Sequence, residues 1–322
     1  MYTDILTIGD SVLDTYIMID DATVNCDINK EHCKLCLNYA EKIPITGSSQ
    51  SVGGNAANVA VGTNLLGFNS AIITEIGDDL NGHTILASLK KAGVYTKYIQ
   101  VKKQETRYAI VLNFKNERTI LSQHPKRNYT LLEIPSTNWI YYTSLSKSFE
   151  KIQKKLISHL KKNPKIKLAV NPGTYQLKSG LKILTKILPY THILILNKEE
   201  AEILVGKQKT EKDTLKAILK TGVKIAVITN GAKGSFSTDG EKFLFMPIYP
   251  LKAKAKTGAG DAFTSGFLSA LMQEQTIKEA MMWGTANSAG VIQKFGAQVG
   301  LLNKKQVLRM VKKYKKIQPK SL

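Results

Sequence analysis

The stretch Thr257-Gly258-Ala259-Gly260-Asp261-Ala262-Phe263 runs directly into a helical pattern that continues through Phe267, Leu268 and Leu271. Small residues at a helix start let another group approach the backbone, and the first-turn N–H groups, without intrahelical partners, make a ready anion site. Asp261 falls in that same turn, where a carboxylate can take a proton from an attacking hydroxyl. Anion site and base would then share one turn. The plainer reading of the same letters is a glycine-rich turn with an acidic residue at a helix terminus.

Outward from this turn, short apolar runs alternate with helical patterns. Strands are predicted at Ile140-Tyr142, Leu168-Val170, Ile193-Leu196 and Ile225-Ile228, with helices at Phe149–Lys161 and Lys198–Val205. That alternation predicts an α/β fold with a mainly parallel sheet covered by helices on both faces. In such sheets ligands bind beyond the carboxyl ends of the strands. Two polar segments stand there: Asn197-Lys198-Glu199-Glu200, and the loop from Thr229 through Gly231 to Gly234. Taken alone, Asn197 with its acidic neighbours is an ordinary helix cap.

The first half opens on the strand Ile5-Leu6-Thr7-Ile8 and holds a helix from Asn55 to Leu66 behind Gly53-Gly54. Asn55 and Asn58 share one face of its first turn, fit either to bind hydroxyl groups or to cap the helix. A strand at Ser70–Ile76 and a helix at Leu80–Ala92 follow. β-rich text flanks these core elements, and the two flanks are expected to form a small second sheet. Neither an internal repeat nor a Pro/Gly/Ser-rich linker occurs, so one main domain over 1–322 is expected.

Lys and Arg number 46 against 25 Asp and Glu, a formal charge of +21, which favours anionic partners. Much of it is Lys on presumed helix faces and in the segment from Lys304 to Lys320. No signal-peptide pattern or membrane-length apolar run is present, and a soluble, cytoplasmic protein is the expectation. The three cysteines, Cys26, Cys33 and Cys36, are an odd number packed into one short stretch, which argues against a secreted disulfide framework. Their spacing, with His32 adjacent, suits zinc, and otherwise they are thiols on β-strands.

Together the motifs resemble those of the PfkB/ribokinase family along essentially the whole chain. Gly53-Gly54-Asn55-Ala56-Ala57-Asn58 is similar to its first signature and Thr257–Phe263 to its second. Asn197 to Glu200 resembles its N-x-x-E element, and Thr229, Gly231 and Gly234 its T-x-G-x-x-G loop. Glu117-Arg118-Thr119 resembles a lid-strand motif, with Asn116 where Gly is usual. No Walker A pattern occurs. The resemblance implies a ribokinase-like three-layer αβα core with a small β-sheet lid built from about 15–50 and 96–122. It implies an ATP- and Mg²⁺-dependent kinase acting on a sugar or nucleoside hydroxyl. Asp261 would be the base, and the backbone of Gly258, Ala259 and Gly260 the anion hole. Asn197, Glu200 (through water to Mg²⁺), Thr229, Gly231, Gly234 and Asn287 would serve the nucleotide. Asp14, Gly54, Asn55 and Asn58 would bind the acceptor. A homodimer through the lid is a further implication.

The chain departs from the family pattern where relatives that use a monovalent cation read Asp: here the residue is Ala255. The expectation is that K⁺ activation is lost, with Lys254 or Lys256 supplying the charge. A phosphorylated acceptor would need more cations than the obvious lid candidates Arg107, Lys115 and Arg118 provide, so a neutral sugar or nucleoside is favoured. The alternative is an inactive or nucleic-acid-binding protein on the same fold. Its weakness is that there is little aromatic interleaving among the C-terminal lysines, which read as one amphipathic basic helix.

Overall fold

A computed structural model describes residues 2–27, 33–115, 117–125, 127–130 and 133–322. From the N-terminus, strand β1 (Thr3–Ile8) leads to β2 (Val12–Ile19), the hairpin β3 (Thr23–Cys26) and β4 (Cys33–Cys36), then β5 (Ile45–Gly53). Helix α1 (Asn55–Leu65) follows, then β6 (Ser70–Ile73), β7 (Glu75–Gly77) and α2 (Leu80–Lys91). Strands β8 (Gln100–Lys102), β9 (Tyr108–Phe114) and β10 (Glu117–Ser122) complete the first half.

The second half opens with β11 (Thr137–Tyr142), α3 (Phe149–Lys162), β12 (Lys167–Val170), α4 (Thr174–Ser179) and α5 (Leu181–Leu184). Strand β13 (Ile193–Asn197), helices α6 (Lys198–Val205) and α7 (Glu211–Leu219), and β14 (Ile225–Thr229) come next. Strands β15 (Ser235–Thr238) and β16 (Phe243–Met246) precede α8 (Ala259–Met272), α9 (Ile277–Val291), α10 (Lys304–Lys313) and β17 (Lys320–Ser321).

The large sheet has the order β17-β16-β15-β14-β13-β12-β11-β1-β6. Its strands from β14 to β6 are parallel, and β15 to β17 are antiparallel at one edge. Alternate residues of each parallel strand enter different cores. Leu194 and Leu196 pack with Ile152, Leu156 and Ile218 from α3 and α7, whereas Ile193 and Ile195 pack with Phe263, Phe267 and Met281 from α8 and α9. Burial on both faces explains why these strands are continuous apolar runs. The predicted three-layer α/β architecture is thus observed, although the strand expected at Ser70–Ile76 divides into β6 in the large sheet and β7 outside it, and β11 starts three residues earlier than expected. Among the described residues, no helix is long and apolar enough to cross a membrane.

The small sheet has the order β10-β9-β2-β5, with β2 and β9 parallel and the other pairs antiparallel. The expected lid boundaries need correction on its second flank. Residues 100–102 pair instead with β7 beside the main body, and only β9 and β10 join the small sheet. On the first flank, β5 runs through polar Thr46–Ser51 with hardly any apolar alternation. It is held as an edge strand by its ladder to β2. Period-2 hydrophobicity cannot reveal a strand whose side chains stay in water.

Candidate active site

Two glycine turns meet near the carboxyl end of β1. Gly258 caps α8 with φ of 80°, and a Cβ there would lie 2.6 Å from the Cα of Ala297. Gly54 precedes α1 with φ of 93°, and a Cβ there would lie 2.5 Å from the carbonyl of Asp10. Both positions combine a left-handed conformation with close backbone approach, so only glycine fits. The two helix starts are thereby brought against each other. Buried Asn58 on α1 donates from Nδ2 to Oδ2 of Asp261 at 2.7 Å, and its Oδ1 accepts from Nε2 of Gln298 at 3.0 Å. Gln298 thus sets which end of the Asn58 amide faces Asp261. Burial pushes the Asp261 carboxyl up to about 6, while the Asn58 hydrogen bond pulls it back. It remains largely ionised at neutral pH yet more basic than an exposed aspartate.

A cleft of about 240 Å³ opens over Asp261 and Gly258, between the α1 start and the inner face of the small sheet. Asp14 of β2 lines it. Burial pushes Asp14 up to about 7, with Arg107 lowering and Asp261 raising that value. Deeper in, Asp10 accepts from Nη1 of Arg107 at 2.8 Å and from the Tyr129 hydroxyl at 2.6 Å. Asn55 also lines the cleft, and its Nδ2 reaches Oδ1 of Asn171 at 3.4 Å. Asn171 is steadied by donating to the carbonyl of Ile195 at 2.8 Å. Neither Asn55 nor Asn58 caps α1, so that plainer reading does not hold. Sequence reasoning misses Asp10, Tyr129, Asn171 and Gln298 as site residues. Asp10 and Asn171 carry a usable signal, because each follows an apolar strand directly or nearly so. Tyr129 and Gln298 carry no local signal.

On the other side of Asp261, Asn197 and Thr229 are register neighbours at the carboxyl ends of β13 and β14. Asn197 and Glu200 form a reciprocal cap. The Asn197 side chain accepts from the Glu200 N–H and Glu200 Oε2 accepts from the Asn197 N–H, both at 2.8 Å. The cap occupies one carboxylate oxygen and leaves Oε1 for another partner. Burial pushes Glu200 up to about 7, with Glu199 and Asp261 adding to the rise and the Asn197 N–H opposing it. Glu200 therefore feels the charge of Asp261. Beyond Thr229 the chain turns through Gly231 and Gly234, with φ of 50° and 89°. Among the described residues no cluster of three or more His, Cys, Asp or Glu is poised to hold a metal. A single partly free carboxylate fits Mg²⁺ held through water and phosphate oxygens rather than in an all-protein cage.

Three expectations are corrected. Asn287 does not reach a nucleotide. It is fully buried, donates to the Ala262 carbonyl and Ser265 hydroxyl, and accepts from the Leu302 N–H, tying α9 to α8. Cys26 and Cys33 form a disulfide between β3 and β4, which removes two of the three zinc ligands and leaves only Cys36 free. His32, and Asn116 of the lid-strand motif, lie outside the described residues. Lys256 does not fill a cation site beside the Gly258 turn. Its ammonium pairs with Glu117 of β10 at 2.5 Å, bridging that loop to the small sheet.

Residues 14–304 match the family described as pfkB family carbohydrate kinase. The chain belongs to that family. This pfkB protein is 28% identical over 306 residues to a ribokinase of Haemophilus influenzae, covering 90% of this chain and 97% of the relative. It is 24% identical over 311 residues to an ATP-dependent 6-phosphofructokinase of Thermoanaerobacterium thermosaccharolyticum, covering 92% and 90%. Its fold is similar to that of Arabidopsis thaliana ribokinase complexed with ribose and ATP, with TM-score 0.78, 22% identity and coverage of 97% and 99%. A Methanocaldococcus jannaschii nucleoside kinase gives TM-score 0.77 at 22% identity, with the same coverages. The overall fold of this pfkB protein is therefore ribokinase-like.

Proposed function

We propose that this pfkB protein transfers the γ-phosphoryl group of ATP to a hydroxyl of a sugar or nucleoside, with Asp261 as the base. The observation that carries the reading is the Asn58–Asp261 pair, 2.7 Å apart, at the N-terminus of α8 and open to the cleft. The acceptor oxygen bonds to the γ-phosphorus, its proton passes to the Asp261 carboxylate, and the bond to ADP breaks. The Gly258-Ala259-Gly260 backbone faces the charge developing on the phosphoryl oxygens, where fixed dipoles act without reorganising. Asp14, Gly54 and Asn55 orient the acceptor hydroxyls, and Asn58 acts through Asp261. Thr229, Gly231 and Gly234 line the nucleotide, and Glu200 offers its free oxygen on the phosphate side. Mg²⁺ bound there would offset phosphate charge.

The test is ADP release from Mg-ATP against a panel of sugars, sugar phosphates and nucleosides, with Asp261→Asn in parallel. Acceptor-dependent turnover that collapses in the variant is expected. Undiminished turnover in Asp261→Asn would remove the assigned base. The acid limb of kcat/KM should fall between about pH 6 and 7, since Asp261 must lose its proton at about 6 and Asp14 and Glu200 at about 7.

A further inference from the structure

The cleft over Asp261 does not end at the small sheet. A second cleft of about 170 Å³ shares Arg118 and Thr257 with it and continues along the inner face of that sheet. Register explains the placement. Arg118 pairs with Asn113, which pairs with Met18, and alternation puts Arg118 on the same face as Ile120 and Ser122. Ile120 and Ser122 line the first cleft, while Arg118 stands where the two join.

The second cleft gathers Lys115, Arg118, Lys254 and Lys256 against Asp20 and Glu117, and Glu117 is already paired with Lys256. Among the described residues, neither Arg118 nor Lys254 has a carboxylate within ion-pair distance. Arg107 differs, being spent on Asp10. Lys254 and Lys256 come from the loop before Gly258, so the cations converge from two distant parts of the chain onto one concave wall. A basic surface side chain is ordinarily just solvated. Convergence at the outlet of the reaction cleft, with Arg118 contacting both cavities, is what distinguishes these from the other surface cations.

We infer that the acceptor bears an anionic group, a phosphate ester or a carboxylate, besides the hydroxyl that receives phosphate, and that Arg118 and Lys254 recognise it. The inference rests on the phosphotransfer reading, with the reacting hydroxyl at Asp261 and the anion beyond Thr257. A planar guanidinium can meet either oxyanion with two parallel hydrogen bonds, and an uncharged nucleoside gains nothing from it. Sugar phosphates and sugar acids share this chemistry, and the experiment separates them.

Binding to the full chain is measured by calorimetry without ATP, using fructose, fructose 6-phosphate, ribose, ribose 5-phosphate, gluconate and adenosine. ADP release is measured on the same set, for wild type, Arg118→Gln, Lys254→Gln and Asp261→Asn. At least one charged member should exceed its neutral counterpart by about 10-fold or more in affinity and kcat/KM. Arg118→Gln should cut that charged value about 10–100-fold and leave the neutral one within about threefold. The phosphate and gluconate arms tell which anion is taken. A neutral sugar or nucleoside used as well as any charged compound, with turnover still lost in Asp261→Asn, overturns the inference and leaves the phosphotransfer reading standing. Arg118-dependent binding of a charged sugar without ADP release from any compound would remove the phosphotransfer reading and, with no acceptor left, the inference that rests on it. Failure of every charged compound to bind overturns it.

Discussion

Strand β13, which ends at Asn197, and strand β10, which roofs the cleft, are held by different forces. Ile193–Leu196 are all buried, between one helix layer and the other, whereas all six residues of β10 are exposed. A doubly buried strand is fixed by packing and moves only at the cost of opening the core. Among the described residues, the β10 strand is held by its ladder to β9 and by the polar tie of Lys256 with Glu117. The floor that carries Asp261 is therefore preset by packing, whereas the roof has little burial of its own to fix it. Regions of low local burial are those from which moving elements are drawn.

The largest effect should come from the floor. Asp261→Asn removes the proton acceptor and should lower kcat by roughly 10²–10⁴ in the ADP assay. The same change should not destabilise the fold. The folded Asp261 carboxyl, at about 6, lies above the ordinary unfolded value of about 3.9, so folding holds its proton more tightly. That contribution is present below about pH 4 and is lost as pH rises through about 6. At pH 8 the ionised, half-buried group is a cost that a neutral amide does not carry. Asp261→Asn should therefore raise Tm by about 2–4 °C at about pH 8, with the gain vanishing near pH 4. A Tm that falls at both pH values would make Asp261 a structural residue and blur the contrast between floor and roof.

Asn58→Ala probes the same floor more gently. Its amide donates to Asp261 and holds the carboxyl value down, so removal should move the acid limb of kcat/KM to higher pH. A kcat loss of about 10- to 100-fold at pH 7 should accompany the shift, and raising the pH should recover part of it. A pH profile that keeps its shape would mean that Asn58 does not tune the base.

How much of this is legible in the sequence follows the same divide. Ile193–Leu196 and Ile225–Ile228 announce themselves as buried strands. Asn197, Thr229 and Asp261 can be placed at their ends or at a helix start because packing and glycine geometry are local signals. The β5 strand is obscure because Thr46–Ser51 obey no burial pattern. Asn287 misleads because a polar residue on a helix looks the same whether it faces a ligand or satisfies buried backbone groups. The Asp10–Arg107–Tyr129 cluster joins residues up to 119 positions apart, and no spacing rule reaches that far. Lys254 and Arg118 likewise meet only once the chain is folded.

For the roof, Lys256→Gln breaks the tie between the Gly258 loop and β10. Both partners are more than half exposed, with side-chain accessibilities of 56% and 71%, so solvent screening keeps the pair weak. The expected outcome is a rise of about two- to fivefold in acceptor KM with kcat within about twofold, read from initial rates at saturating ATP. A kcat loss of about 10-fold or more would show that this tie sets the floor as well, and the two regions could not be treated separately.

The smallest global effect should come from the hairpin that β2 and β5 carry outward. All four residues of β3 are exposed and β4 is at most half-buried, so the Cys26–Cys33 disulfide joins two strands that contribute little to the core. A cross-link stabilises the unit whose unfolded state it constrains. Here that unit is the hairpin alone, if opening it leaves the ladder from β2 to β5 intact. Cys26→Ser, or a thiol reductant, should then shift Tm by less than about 1 °C while opening new protease cleavage between residues 23 and 36. A Tm drop of several degrees would instead mean that the hairpin is coupled through β2 to Asp14, and that the roof is braced from outside as well as from within the cleft.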